Sequence, residues 1–134
     1  MKYRKAEKAD LDQVVRVAST AFEDYLFLKV IKDLVRDPKQ YPAFVEAMMR
    51  ILVKVFLKHH ICLVAEKNDE IYAVALLQKG PIPFRAYLLN GGFGLLKFIS
   101  LKNMLSYFKF MEDTDKELEQ NVDFDWYLML LAVA

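Results

Sequence analysis

Asp123–Ala134, DFDWYLMLLAVA, is the segment on which the fold turns. Its nine consecutive apolar residues, Trp126 to Ala134, are too few to span a bilayer. A charged, helix-favouring stretch precedes them, so the run reads as a β-strand covered on both faces. Such a strand belongs inside a sheet, with a neighbour on each edge. The sequence supplies none after Ala134, and the expectation is therefore a domain present only in part.

Working back from that strand, two more β-rich runs stand at Ile61–Glu66 and Ile71–Gln78. Lys67-Asn68-Asp69-Glu70 joins them, and Asn and Asp tolerate the left-handed backbone of a tight turn, which predicts a hairpin. Lys79-Gly80-Pro81-Ile82-Pro83 ends the sheet run, because two prolines in three residues cannot sit inside a ladder. The terminal strand is expected to pair antiparallel with the strand around Ile71–Gln78. At the other end of the chain, Met1–Lys5 reads as an edge strand whose Lys2 and Arg4 discourage stray pairing.

The helices follow from period and capping. Asp10, with Gln13 three residues on, is placed to cap a helix running to Phe22. Leu11, Val14, Val15, Ala18, Ala21 and Phe22 share one face of it. Leu26–Val35 can form a second short helix before Asp37-Pro38 breaks it. In Tyr41–Lys58 the residues Glu46, Arg50, Lys54 and Lys58 make one narrow charged stripe on an otherwise apolar helix, which predicts extensive burial. Phe93–Met111 reads as a further helix, followed by charged, helix-favouring Glu112–Gln120. The fold class is α/β of the α+β kind: a mostly antiparallel sheet with packed helices, in one domain spanning residues 1–134.

Composition narrows the function classes. A chain of 134 residues that is 55% hydrophobic has ample material for a core. Nineteen basic against eighteen acidic residues leave no net field to draw in nucleic acid or an anionic membrane. The one cysteine, Cys62, excludes an internal disulfide, and no signal-peptide or transmembrane pattern is visible; the expected location is cytoplasmic. Cys62 reads as an inert core thiol and His59-His60 as a charged helix end rather than metal ligands. Gly91-Gly92-Phe93-Gly94 lacks the spacing of a phosphate-binding loop and reads as a joint. The lysines and aromatics of Phe93–Met111 also permit an interfacial membrane helix, but its apolar residues wrap around rather than line one face. Two carboxylates, Glu23 and Asp24, end the first helix against its dipole; they read as a solvated loop or as part of a site.

Taken together, Tyr3-Arg4-Lys5-Ala6 before Ala9-Asp10-Leu11-Asp12, Ala21-Phe22 at the helix end, the hairpin of Leu63–Glu66 with Ile71–Leu77, and Trp126–Val133 resemble the GNAT superfamily of N-acetyltransferases. The resemblance covers the whole chain and the first half or so of a family domain. It implies an incomplete acyl-CoA N-acyltransferase-like fold with Trp126–Val133 as its fourth strand. It further implies transfer of acetyl from acetyl-CoA to a primary amine. By the same resemblance, the backbone of Leu131, Ala132 and Val133 would bind the cofactor. Phe22, Glu23, Asp24 and Tyr25 match the region that lines the acceptor site. No catalytic residue can be assigned. The Gly-rich loop that holds the pyrophosphate in the family has no counterpart in these residues, and Ala73 stands where the third strand often carries glycine. The 134-residue chain is thus expected to be inactive and to form a homodimer or domain-swapped assembly through its last strand. The alternative is a non-catalytic interaction module using that same strand.

Overall fold

The computed structural model describes residues 1–22, 35–79, 82–121 and 127–133. Four strands, β1 (Lys2–Lys5), β2 (Ile61–Lys67), β3 (Glu70–Gln78) and β4 (Tyr127–Val133), form one sheet in sequence order. Every neighbouring pair is antiparallel. Between β1 and β2 lie α1 (Leu11–Phe22) and α2 (Tyr41–His59); between β3 and β4 lie α3 (Phe84–Leu89) and α4 (Leu101–Asn121). The fold is α+β.

The hairpin forms as expected, each strand gaining one residue at the turn. Asn68 (φ 54°) and Asp69 (φ 64°) both take the left-handed conformation, which matches a two-residue loop to the twist of its strands. β4 pairs with β3 as expected, from Gln78↔Tyr127 to Ala73↔Val133, with one irregularity between Leu76 and Leu77.

Register sorts the side chains into rows across the sheet, since directly paired residues share a face. One face carries Val64, Val74 and Ala132 in a row, with Cys62 and Leu76 in the next, all buried. α1 packs against β3 and β4 on that side, and α2 packs against α1, β2 and β3. Val14, Val15 and Ala18 of α1 meet Phe44, Val45, Val53 and Phe56 of α2 in the core beneath. The opposite face carries the rows Tyr3–Ala65–Ala73–Val133, Lys5–Leu63–Ala75–Leu131 and Ile61–Leu77–Leu128. This side is open: Tyr3 is 77% exposed, Leu63 37%, Leu128 49%, Leu131 56% and Val133 64%. The expectation that the last strand is covered on both faces is therefore wrong. Ala132 is buried at 1%, but its neighbours on either side point outward.

The helical segments depart from the sequence reading in three places. The first turn begins early: a 3₁₀ turn at Lys8–Asp10 carries a reciprocal box between Glu7 and Asp10, and Gln13 instead accepts a hydrogen bond from the Ile71 backbone at 3.3 Å. α3 was not expected; Pro83 ends the sheet run and also starts this helix, its fixed φ suiting the entry. Phe93–Met111 is not one helix. Gly92–Lys97 is a 3₁₀ segment, and α4 starts at Leu101, where Ser100 Oγ accepts from the Asn103 backbone at 3.2 Å. α4 then continues through the charged stretch to Asn121.

Gly91 has φ 111° and Gly92 lies so close to its surroundings that a Cβ would come within 2.8 Å of the Tyr87 carbonyl oxygen. The glycines thus serve the joint between α3 and the 3₁₀ segment. Tyr87 and Phe108 stack across it at 5.2 Å. The expected helix over Leu26–Val35 lies outside the described residues apart from Val35, which is buried.

Candidate functional site

Three polar arrangements and one strand edge carry what chemistry the described residues offer. The strand edge is that of β4. Leu131, Ala132 and Val133 pair with Ala75, Val74 and Ala73 on one side, and among the described residues no strand pairs on the other. Antiparallel strands direct alternate backbone N–H and C=O groups to opposite edges, so part of this segment's hydrogen-bonding capacity faces away from β3. α1, which ends at Phe22, packs on β4, bringing the element that carries one expected acceptor-site residue beside the expected cofactor strand. Glu23, Asp24 and Tyr25 lie outside the described residues.

A groove of about 360 Å³ runs between α1 and α2, lined by Asp12, Arg16, Ser19, Thr20, Glu46 and Arg50. Arg50 reaches across it, Nη1 donating to Asp12 Oδ1 at 2.8 Å, with Nη2 lying 3.6 Å from Glu46 Oε1. The formal charges of the lining cancel. Asp12, Arg16 and Ser19 are the polar side of one helix in the sequence, and Glu46 and Arg50 the stripe of another. Their convergence is tertiary, and only the facing of the two helices creates it.

Arg4 anchors the second arrangement. Nη1 and Nη2 grip Asp10 at 2.7 and 3.0 Å, and Nη2 also donates to Glu66 Oε2 at 3.0 Å. Asp10 Oδ2 accepts from the Glu7 backbone as well, at 2.7 Å. The hydrogen bonds from Arg4 hold the Asp10 carboxyl below its ordinary range against the opposing effect of burial, and do the same to Glu66. This network fastens β1, the start of α1 and β2 together. Its carboxylates are saturated by Arg4, which makes them poor proton acceptors for catalysis.

In the third, His60 Nδ1 accepts a hydrogen bond from the Lys79 backbone at 3.1 Å, and its ring lies 5.1 Å from that of Phe56. Burial, and next the charge of His59, lower its pKa, which keeps the accepting nitrogen unprotonated. Among the described residues no three of His, Cys, Asp and Glu converge as metal ligands. Cys62 is buried, and burial pushes its thiol up to about 12, far from the thiolate a nucleophile needs. Among the described residues no helix is long and apolar enough to cross a membrane.

No protein-family model and no curated protein matches the chain.

Proposed function

We propose that the chain is the N-terminal part of a GNAT-like N-acetyltransferase, which in complete form moves an acetyl group from acetyl-CoA to a primary amine. The observation that supports this most is the sheet itself. Among the described residues, two helices lie between β1 and β2, the strand order is β1-β2-β3-β4 with antiparallel neighbours throughout, and β4 is unpaired on its outer edge. On this reading the backbone of Leu131, Ala132 and Val133 binds the pantetheine arm and polarises the thioester carbonyl. The free amine then attacks that carbon directly, and a base or water removes its proton. Phe22, Glu23, Asp24 and Tyr25 border the acceptor. No described residue is assigned as the base.

The pantetheine half of this reading is supported by β4, whose outer edge pairs with no strand among the described residues and beside which the side chains of Leu131 and Val133 are exposed. The pyrophosphate is assigned by the resemblance to a loop these residues do not contain. Acetyl-CoA should therefore bind this chain weakly, with a dissociation constant of roughly 1 mM or above. Titration followed by amide NMR checks both points. Shifts should concentrate at Leu131, Ala132 and Val133 without saturating in the micromolar range. No shift in that segment at millimolar acetyl-CoA would overturn the proposal, and saturable micromolar binding would show that another element holds the phosphates. The proposed location is cytoplasmic, in keeping with a single, buried, reduced Cys62.

A second reading is favoured by the same edge. Tyr127–Val133 carries no charged residue to deter pairing, so the chain would act as a non-catalytic module that adds a partner's strand, or a second copy's, to β4. Silence toward acetyl-CoA with retained strand addition would select it.

A further inference from the structure

The near-neutral total charge hides one local imbalance. Residues 82–110 contain Arg85, Lys97, Lys102 and Lys109 and no Asp or Glu. All four cations are exposed, and Arg85, Lys97 and Lys102 have no carboxylate partner among the described residues. Lys109 lies 3.8 Å from Asp113. The same segment exposes Leu89, Phe93, Leu101, Leu105 and Phe110, Leu89 by 79% and Phe93 by 59%. We propose that this surface docks on an anionic lipid bilayer, its cations against the headgroups and its exposed apolar side chains among the upper acyl carbons.

Apolar residues surround this stretch in the sequence, which argues against an interfacial helix, but packing accounts for the inward set. Met104, Tyr107 and Phe108 of α4 are buried, and Phe108 stacks on Tyr87 of α3. At about 100° per residue, Lys102 and Lys109 project from the opposite side of α4, with Leu101 and Leu105 flanking them on one side and Phe110 on the other. Leu101, Leu105 and Phe108 stand at i, i+4 and i+7, so the exposed Leu pair continues the ridge that ends under Tyr87. A Cβ on Gly92 would lie 3.0 Å from Phe108, which puts Leu89 and Phe93 at that same joint. Arg36, whose guanidinium donates to the Ile99 carbonyl at 3.2 Å, adds a cation beside the 3₁₀ segment. The acids that border this surface are Asp37, next to Arg36, and Glu112 and Asp113 on the following turn of α4. Acids dominate α4 from Glu112 onward, so the helix rests on the bilayer by its first half and rises from it beyond Phe110.

Charge complementarity chooses this occupant. Cations beside exposed apolar side chains suit a surface that is negative outside and apolar within, which is an anionic bilayer. A soluble polyanion would use the cations and leave Leu89, Phe93 and Leu101 in water. An apolar protein groove would strip the cations of water without recompense. Among the described residues no helix is long and apolar enough to cross a membrane, so the attachment is peripheral and reversible. Because its cations are exposed, it weakens with salt.

This inference does not rest on the acetyltransferase reading, which concerns β4. The full chain is sedimented with vesicles of phosphatidylcholine alone or of phosphatidylcholine with about 30% phosphatidylserine. Binding should be roughly tenfold tighter or more on the anionic vesicles, and should fall as salt rises from about 0.1 M to about 0.5 M. Lys97→Glu combined with Lys102→Glu should weaken it roughly tenfold or more, and so should Phe93→Ser. All three positions are exposed, so circular dichroism and melting should be unchanged. Lys8→Glu combined with Lys58→Glu makes the same charge change elsewhere in the fold and should bind as wild type. Equal or absent binding to the two kinds of vesicle would overturn the proposal, as would a matched pair as damaging as Lys97→Glu with Lys102→Glu. Binding that needs Lys97 and Lys102 but is indifferent to Phe93→Ser would assign the cations to a soluble polyanion and overturn bilayer docking equally.

Discussion

Asp10 illustrates what single residues disclose and what they withhold. A carboxylate before an amphipathic run signals a helix start, and the chain does turn into a helix there. Its partners were not legible, because Arg4 meets it only once β1 lies in register on β2, and Glu66 completes the cluster from the other side of that register. Arg4 depresses both carboxyl groups in the folded state, so the stability they contribute is present above the ordinary carboxylate range near pH 4. It is lost as pH falls through their lower folded values. Arg4→Met should accordingly lower the urea midpoint at pH 7, and the gap from wild type should narrow as pH drops toward about 2.5. A gap of constant width would mean that Arg4 contributes through packing alone. Cys62 and His60 were more easily read. A thiol among Ile61, Leu63 and Val64 in a strand has nowhere to go but inward on one of two faces, and register puts it under the helices. His60 was recognised as a helix end, but its bond from the Lys79 backbone belongs to the far end of the hairpin and left no local trace.

At the level of elements, α2 was the most legible because its signal is long and local. Phe44, Val45, Val53, Val55 and Phe56 are buried, and the stripe of Glu46, Arg50, Lys54 and Lys58 keeps to the outer side, where Arg50 bridges to α1. Phe56→Ala should therefore cost roughly 3–5 kcal/mol by thermal or urea unfolding, the usual toll of a truncated buried aromatic. Lys54→Ala should stay within about 0.5 kcal/mol. Equal losses would mean that the helix presents a different side to the core. The region between β3 and β4 was read less well, and the reason is local chemistry that points two ways. Pro83 both ends a sheet run and opens a helix, and the run of Leu and Phe after Gly92 hides Ser100, whose hydroxyl starts α4 three residues before Asn103. In the structure the apolar residues of this region are divided: Leu95, Ile99, Met104 and Phe108 pack inward, while Phe93, Leu101 and Phe110 remain exposed.

For the molecule as a whole, β4 is where sequence pattern and structure part most. An uninterrupted apolar run tells that a strand avoids water on both faces, but not whether its own chain supplies both covers. Here the helices supply one, over Ala132, and leave Leu128, Leu131 and Val133 facing out. The candidate cofactor residues thus occupy two different environments, one methyl group beneath α1 and two side chains in the open, while their backbone lies along an edge. Hydrogen exchange can tell what meets that edge. From Ala73 to Leu77, β3 is paired on both sides, by β2 and β4, so the amides of that stretch should be uniformly slow. β4 is paired on one side among the described residues, so its amides should alternate, slow where they point to β3 and fast where they point away. If nothing adds to the edge, the alternation should persist as concentration rises. Should the fast set slow together as concentration rises, a second copy's strand has added to the edge. Uniform protection along β4 even at high dilution would mean that a segment of the same chain already lies against it, and binding of a pantetheine arm there would then require its displacement.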